Sequence, residues 1–181
     1  MATWVAFLRG INVGGNHILP MKELVALLGK EGLNDVATYI QSGNVVFRCS
    51  KATAPALEER IGAAVSKQHG FQPRVLVVSA AELGRAVTAN PFPQADADPK
   101  QLHLFFLAKK PSSANLDALR ELAAGSEAFE LIDKVFYLYT PDGFGVSKLA
   151  ARAERHLGVD ATARNWRTVG KVLEMAKRLE E

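Results

Sequence analysis

The chain has 181 residues, 48% of them hydrophobic, and a formal charge of only +3. That length fits one sizeable domain or two small lobes, since domains commonly run to about 100–150 residues, and the apolar content excludes a chain too polar to fold. No apolar run approaches the roughly 18 residues that cross a bilayer, and residues 1–9 carry neither a basic leader nor a cleavage site, so a cytoplasmic protein without a membrane partner is expected.

In chain order, Trp4-Val5-Ala6-Phe7-Leu8 is a continuous apolar run of the kind that forms a strand buried on both faces, central in a sheet. Pro20 opens a helix with Met21, Leu24, Val25 and Leu28 at helical spacing, and Gly29 and Gly32 can end it. Residues 36–41 and 44–48 read as strands joined by the two-residue connection Ser42-Gly43. Cys49 follows as a lone cysteine in a strand-like setting, which predicts a buried, inert thiol. A helix over 54–69 places Leu57, Ile61, Ala64 and Val65 inward with Gly70 as its stop, and Val75–Val78 is another buried strand. The order βαββαβ is the split βαβ, or ferredoxin-like, pattern.

A short helix at 80–88 leads into Asn90–Pro99, which holds three prolines and little periodicity, as in a connecting loop. The expected division is therefore a lobe of residues 1–90, a Pro-rich connection at 91–100, and a second lobe at 101–181. That second half repeats the order: strand 101–107, helix 113–124, a hairpin of 128–132 and 135–139 turning at Asp133-Lys134, and helix 146–157. Where a closing strand would come, Thr162–Thr168 leads instead to a last helix with Val169, Val172, Leu173, Ala176 and Leu179 on one face. The fold class is α+β, two tandem ferredoxin-like units with antiparallel sheets, the second modified at its C-terminal end.

Three segments could carry chemistry. In Arg9-Gly10-Ile11-Asn12-Val13-Gly14-Gly15-Asn16 the glycines let backbone N–H groups approach an anion, although the spacing matches neither a dinucleotide fingerprint nor a P-loop. Tyr39-Ile40-Gln41-Ser42-Gly43-Asn44 has the composition of a turn, with Tyr39 and Gln41 expected on one strand face and Ile40 on the other. Thr162–Thr168 precedes the last helix, where Thr168 can be the N-cap and where Arg164, Arg167 and Lys171 oppose the helix dipole unless an anion, internal or bound, relieves them. Charge is concentrated there: residues 147–178 hold eight bases, among them Lys148, Arg152 and Arg155, against three acids, an excess of +5.

No pair among His17, His69, His103 and His156 has metal-ligand spacing, no cysteine cluster exists, and the glycine-rich segments contain no nucleophile–base set. No metal is therefore expected, no cofactor is named by any motif, and whether the chain is an enzyme stays open. The strand 44–48 also lacks the aromatic pattern of an RNA-recognition module.

Taken together, Arg9–Gly15, Thr38–Phe47, Pro141–Leu149 and Arg164–Val169 resemble the bacterial domain of unknown function 1697 family, in order along essentially the whole chain. The resemblance implies two ferredoxin-like units and no assigned activity. Its signature segments fall on Arg9, Gly10, Asn12, Gly14, Gly15, Tyr39, Ser42, Gly43, Asn44, Ser147, Lys148, Arg164, Asn165, Trp166 and Thr168. Core packing does not ask for Arg, Asn, Ser and Gly in three separate loops, so the expected function is binding of a small anionic ligand, such as a nucleotide, in a polar cleft between the lobes. The alternative is a nucleic-acid-binding module using the basic C-terminal surface.

Overall fold

The computed structural model describes residues 1–181. The first apolar run is the middle of β1 (Ala2–Arg9), which lies between β3 (Asn44–Cys49) and β4 (Arg74–Ser79), with β2 (Asn34–Tyr39) outside β3. All three pairings are antiparallel. Val5, Ala6 and Phe7 are fully buried, as a central strand requires. The helices α1 (Met21–Lys30) and α2 (Ala54–His69) bring Leu24, Leu28, Leu57, Ile61 and Val65 to a core shared with Ala6, Leu8, Val45, Phe47 and Val77. These strand residues alternate, so both helices cover one face. Each fully buried Leu, Ile, Val or Phe removes apolar surface worth about 1.5–3 kcal/mol. Gly70 stops α2 in a left-handed conformation, its N–H meeting the Ser66 carbonyl at 2.9 Å. Cys49 is a free, buried thiol.

The helix α3 (Ala80–Thr88) follows β4 directly. Its start is a capping box: Ser79 Oγ accepts from the Glu82 N–H at 3.2 Å, and the Glu82 carboxylate accepts from the Ser79 N–H at 2.8 Å. Beyond a 3₁₀ turn at Pro93–Asp96, the second series begins with β5 (Leu102–Leu107), α4 (Leu116–Leu122), β6 (Ala128–Ile132), β7 (Val135–Tyr139) and α5 (Lys148–Leu157). Its core joins Phe105, Leu107, Phe136 and Leu138 to Leu119, Leu149, Ala153 and Leu157.

The strand order of the two sheets, β2-β3-β1-β4 and β6-β7-β5-β8, is the same, and it is the order of the split βαβ pattern. The closing strand not expected from the sequence is thus present as β8 (Ala161–Asn165), paired antiparallel to β5. The C-terminal addition is the helix that follows it, α6 (Trp166–Arg178). Thr162-Ala163-Arg164-Asn165 escapes a strand pattern because only Ala161 and Ala163, both small, face the helices. The compact units are Met1–Arg85 with Gly170–Glu181, and Ala86–Val169. Most of α6 therefore groups with the first unit, whereas its place in the sequence assigns it to the second. Its apolar stripe explains the difference locally: Leu173 lies 4.0 Å from where a Cβ on Gly84 of α3 would stand.

The first hairpin also differs. Its last pair is Tyr39↔Asn44, so the connection is the four residues 40–43 rather than Ser42-Gly43, and Gln41 lies outside the strand. Ile40 and Gly43 both take positive φ, 50° and 76°. A Cβ on Gly43 would stand 2.7 Å from Leu8 Cβ and 2.8 Å from Ile11 Cδ1. We expect Gly43→Ala to lower stability by about 2–4 kcal/mol, combining overpacking with the left-handed backbone. Gly15→Ala, which meets nothing within 4 Å, should cost only the backbone strain, about 1 kcal/mol. Urea midpoints of the two variants measure the contrast.

Candidate functional site

In the first unit, β1 ends at Arg9 and the chain makes a tight excursion before α1. Asn12 holds it. Its Oδ1 accepts from the Leu19 N–H at 2.8 Å, and its Nδ2 donates to the carbonyls of Leu19 at 3.0 Å and Gln41 at 2.8 Å. Residue 12 is left-handed, φ 51°, a conformation asparagine tolerates better than most residues. Between Val13 and Asn16 the chain forms a bridge across Gly14 and Gly15. His17 stacks on Phe71 with ring centroids 4.5 Å apart, and its Nδ1 lies 2.8 Å from the Gly10 carbonyl. A carbonyl only accepts, so Nδ1 carries the proton.

The hairpin turn is also tied to β1 and closed on itself. Leu8 N–H donates to the Gly43 carbonyl at 2.8 Å, and Asn44 Nδ2 donates to the Tyr39 carbonyl at 3.1 Å and to Ser42 Oγ at 3.0 Å. Cross-strand register then fixes a row. Tyr39, Asn44, Phe7 and Leu76 are successive partners across β2, β3, β1 and β4, and two residues further along β1 stands the pair Arg9↔Arg74. By period-two alternation Arg9 and Arg74 share the sheet face of that row. Both are exposed.

The structure thus brings together all nine first-unit residues singled out in the sequence, but their roles divide. Asn12, Gly43 and Asn44 are occupied in holding the loops. Gly10 and Gly15 are open, with nothing within 4 Å of where a Cβ would stand and φ of 80° and 76°. Arg9, Tyr39 and Ser42 rim the same end, as does Gly14 at the loop tip. Arg74 has no signal in the sequence, because its place beside Arg9 depends on strand pairing alone. Three exposed aliphatic side chains here are equally unmarked, Val13 at 66%, Ile18 at 58% and Ile40 at 52% exposure.

In the second unit the predicted residues separate. Arg164 pairs with Leu104 and Asn165 with His103, so the two lie on opposite faces of the sheet. Arg164 Nη1 donates to the Ala163 carbonyl at 2.9 Å, and burial pulls the guanidinium down to about 10, still charged at neutral pH. Asn165, not Thr168, caps α6: its Oδ1 accepts from the Thr168 N–H at 2.8 Å, while Thr168 is buried. The position of the asparagine at the end of β8 decides this, since Thr168 is already inside the helix. Trp166 Nε1 donates to Asp96 Oδ1 at 2.7 Å. Lys148 starts α5 beside Ser147, whose Oγ accepts from the Ala150 N–H at 3.0 Å. It lines an open hollow of about 600 Å³ together with Arg152, Glu121 and Glu127. On α6, Lys171 meets Glu174 at 3.0 Å and Arg178 meets it too. Glu174 is already counted in the excess of +5, so what offsets that excess locally is the placing of Glu121 and Glu127 beside Lys148 and Arg152.

His103 stacks on Phe144, ring centroids 3.8 Å apart, and its buried Nδ1 has no partner. Burial pushes it down to about 4.

A family model described as a protein of unknown function (DUF1697) matches residues 1–137. The chain belongs to the DUF1697 family. The match takes in both first-unit signature segments and ends before Pro141–Leu149 and Arg164–Val169, which also carry the resemblance. Among solved structures the DUF1697 chain is similar to the conserved bacterial protein SP0830 from Streptococcus pneumoniae, with a TM-score of 0.71 and 21% identity over 97% of this chain and 98% of that one. That likeness is one of fold. A search of curated proteins finds no match. No helix is long and apolar enough to cross a membrane.

Two outcomes follow. Asn165→Ala should remove the α6 cap and lower stability by about 1 kcal/mol, with far-UV circular dichroism otherwise unchanged. For His103, the folded value near 4 lies below the unfolded value of about 6.5, so the unfolded chain binds the proton first on acidification. Stability from this group is therefore lost as pH falls from about 6.5 toward 4. His103→Phe should flatten that part of the profile when denaturation midpoints are compared at about pH 7.5 and about pH 5.

Proposed function

We propose that this DUF1697 protein binds a small anionic ligand at the loop end of its first unit. The observation that carries the reading is the side-by-side placement of Arg9 and Arg74 next to a loop whose Gly10 and Gly15 backbone is open to approach. Arg9 and Arg74 each have a partner within the fold, and strand pairing sets the two on one sheet face, where both can reach a phosphate or carboxylate. A guanidinium has five N–H donors, enough to serve an existing contact and a ligand together. The binding set is Arg9, Gly10, Gly14, Gly15, Tyr39 and Ser42, with Arg74 added.

The nucleic-acid reading has less to support it. Lys148 and Arg152 share their hollow with Glu121 and Glu127, and Lys171 and Arg178 both meet Glu174, which reduces the field a polyanion would feel.

Thermal-shift measurements against inorganic phosphate, AMP and short RNA, with Arg9→Ala and Arg74→Ala alongside, test the reading, because a ligand of the native state raises the apparent Tm. A rise with a small anion that either variant abolishes is expected. A rise with RNA alone, falling steeply with salt, would replace the small-ligand reading with the nucleic-acid one.

A further inference from the structure

Resting on that reading, we infer that the anion bound at the first unit's loop end is amphipathic, a phosphate or carboxylate carrying an aliphatic chain rather than a nucleobase. Five large apolar side chains are exposed in the protein; Val146 belongs to the second unit and Met1 precedes β1, whereas Val13, Ile18 and Ile40 gather at this end. Asn12 joins the three segments that carry them. Val13 is its chain neighbour, Ile18 precedes Leu19, and Ile40 precedes Gln41, and the Asn12 side chain is hydrogen-bonded to both Leu19 and Gln41.

Isolated exposed aliphatics need no explanation, but three of the five exposed ones on segments joined by a single side chain do. Ile40 sharpens the point. It is a β-branched residue held at φ 50°, a conformation in which such residues are genuine outliers. Asparagine or glycine would satisfy the turn with less strain, and either would remove the apolar surface.

The surroundings select the ligand's chemistry. Residues 9–22, 38–47 and 70–79 contain no Asp or Glu and hold Arg9, Lys22 and Arg74, and Glu23, just beyond the first of them, lies 3.7 Å from His69. Exposed aliphatic residues thus stand at the same end of the unit as the paired Arg9 and Arg74, which suits an anionic head joined to a chain. The three side chains are aliphatic, whereas bases are held by stacking on aromatic rings or guanidinium planes.

The test is isothermal titration of the full chain with inorganic phosphate, butyl phosphate, hexyl phosphate and AMP. Affinity should tighten along the alkyl series, by roughly threefold to tenfold for each two carbons on a partly open surface. Ile40→Asn, expected to fold with an unchanged or higher Tm, should keep phosphate binding and lose most of the chain-length gain, and Val13→Ser should do the same. Sedimentation with phosphatidylglycerol vesicles, against phosphatidylcholine ones, separates a lipid surface from a free ligand as the source of that chemistry. Equal affinity for phosphate and hexyl phosphate would overturn the inference and leave the anion reading standing. A chain-length gain that survives in both variants, or tighter binding of AMP than of hexyl phosphate, would overturn it too. Binding of none of the four compounds would remove the anion reading itself.

Discussion

The amide of Asn12 joins three stretches of chain that no β-ladder connects: its own loop, the approach to α1 at Leu19, and the hairpin turn at Gln41. Nothing in sheet pairing would hold an excursion of this length against the end of β1. The side chain accepts one bond and donates two, most of the capacity of a primary amide. The position of the loop against the hairpin turn depends on that clamp, together with Ile11 and Leu19 in the core. The clamp ties together the loop that carries Val13, the approach to α1 that carries Ile18, and the turn that carries Ile40.

The glycines of the same region do two different jobs. At Gly43 the backbone passes so close to Leu8 and Ile11 that a side chain has no room, which makes its absence a packing requirement. At Gly10 and Gly15 there is room, and the requirement is conformational, with the consequence that backbone is left accessible. A comparable division runs through the polar residues. Asn44 closes the turn, Asn165 caps α6, and Trp166 reaches Asp96, so residue types that suggest a ligand are explained by local structure.

The second unit shows how a charge count overstates a field. Lys148 and Arg152 share a hollow with Glu121 and Glu127, and Arg164 is half-buried on the sheet face opposite to Asn165. Two neighbours in sequence cannot both face one ligand when they sit in a strand, whatever their chemistry. The half-buried His103 stacks on the ring of Phe144, and burial of its Nδ1 holds the imidazole below its ordinary value.

By itself the sequence determined the element order, the central buried strand, the inward faces of α1 and α2, that of α5 except for Val146, which stands before the helix and is 79% exposed, and the α+β class, because apolar periodicity reports local geometry directly. It also marked the glycine-rich loop and the turn as belonging to a candidate site, through residue types that strands and helices do not select. It did not reveal β8, whose inward positions are small alanines that leave no alternating signal. Nor did it reveal the four-residue turn, the cap at Asn165, the pairing of Arg9 with Arg74, or the apolar cluster. Those were decided by tertiary structure, since each depends on strand register or on a side chain bridging residues distant along the chain, and no local pattern encodes either.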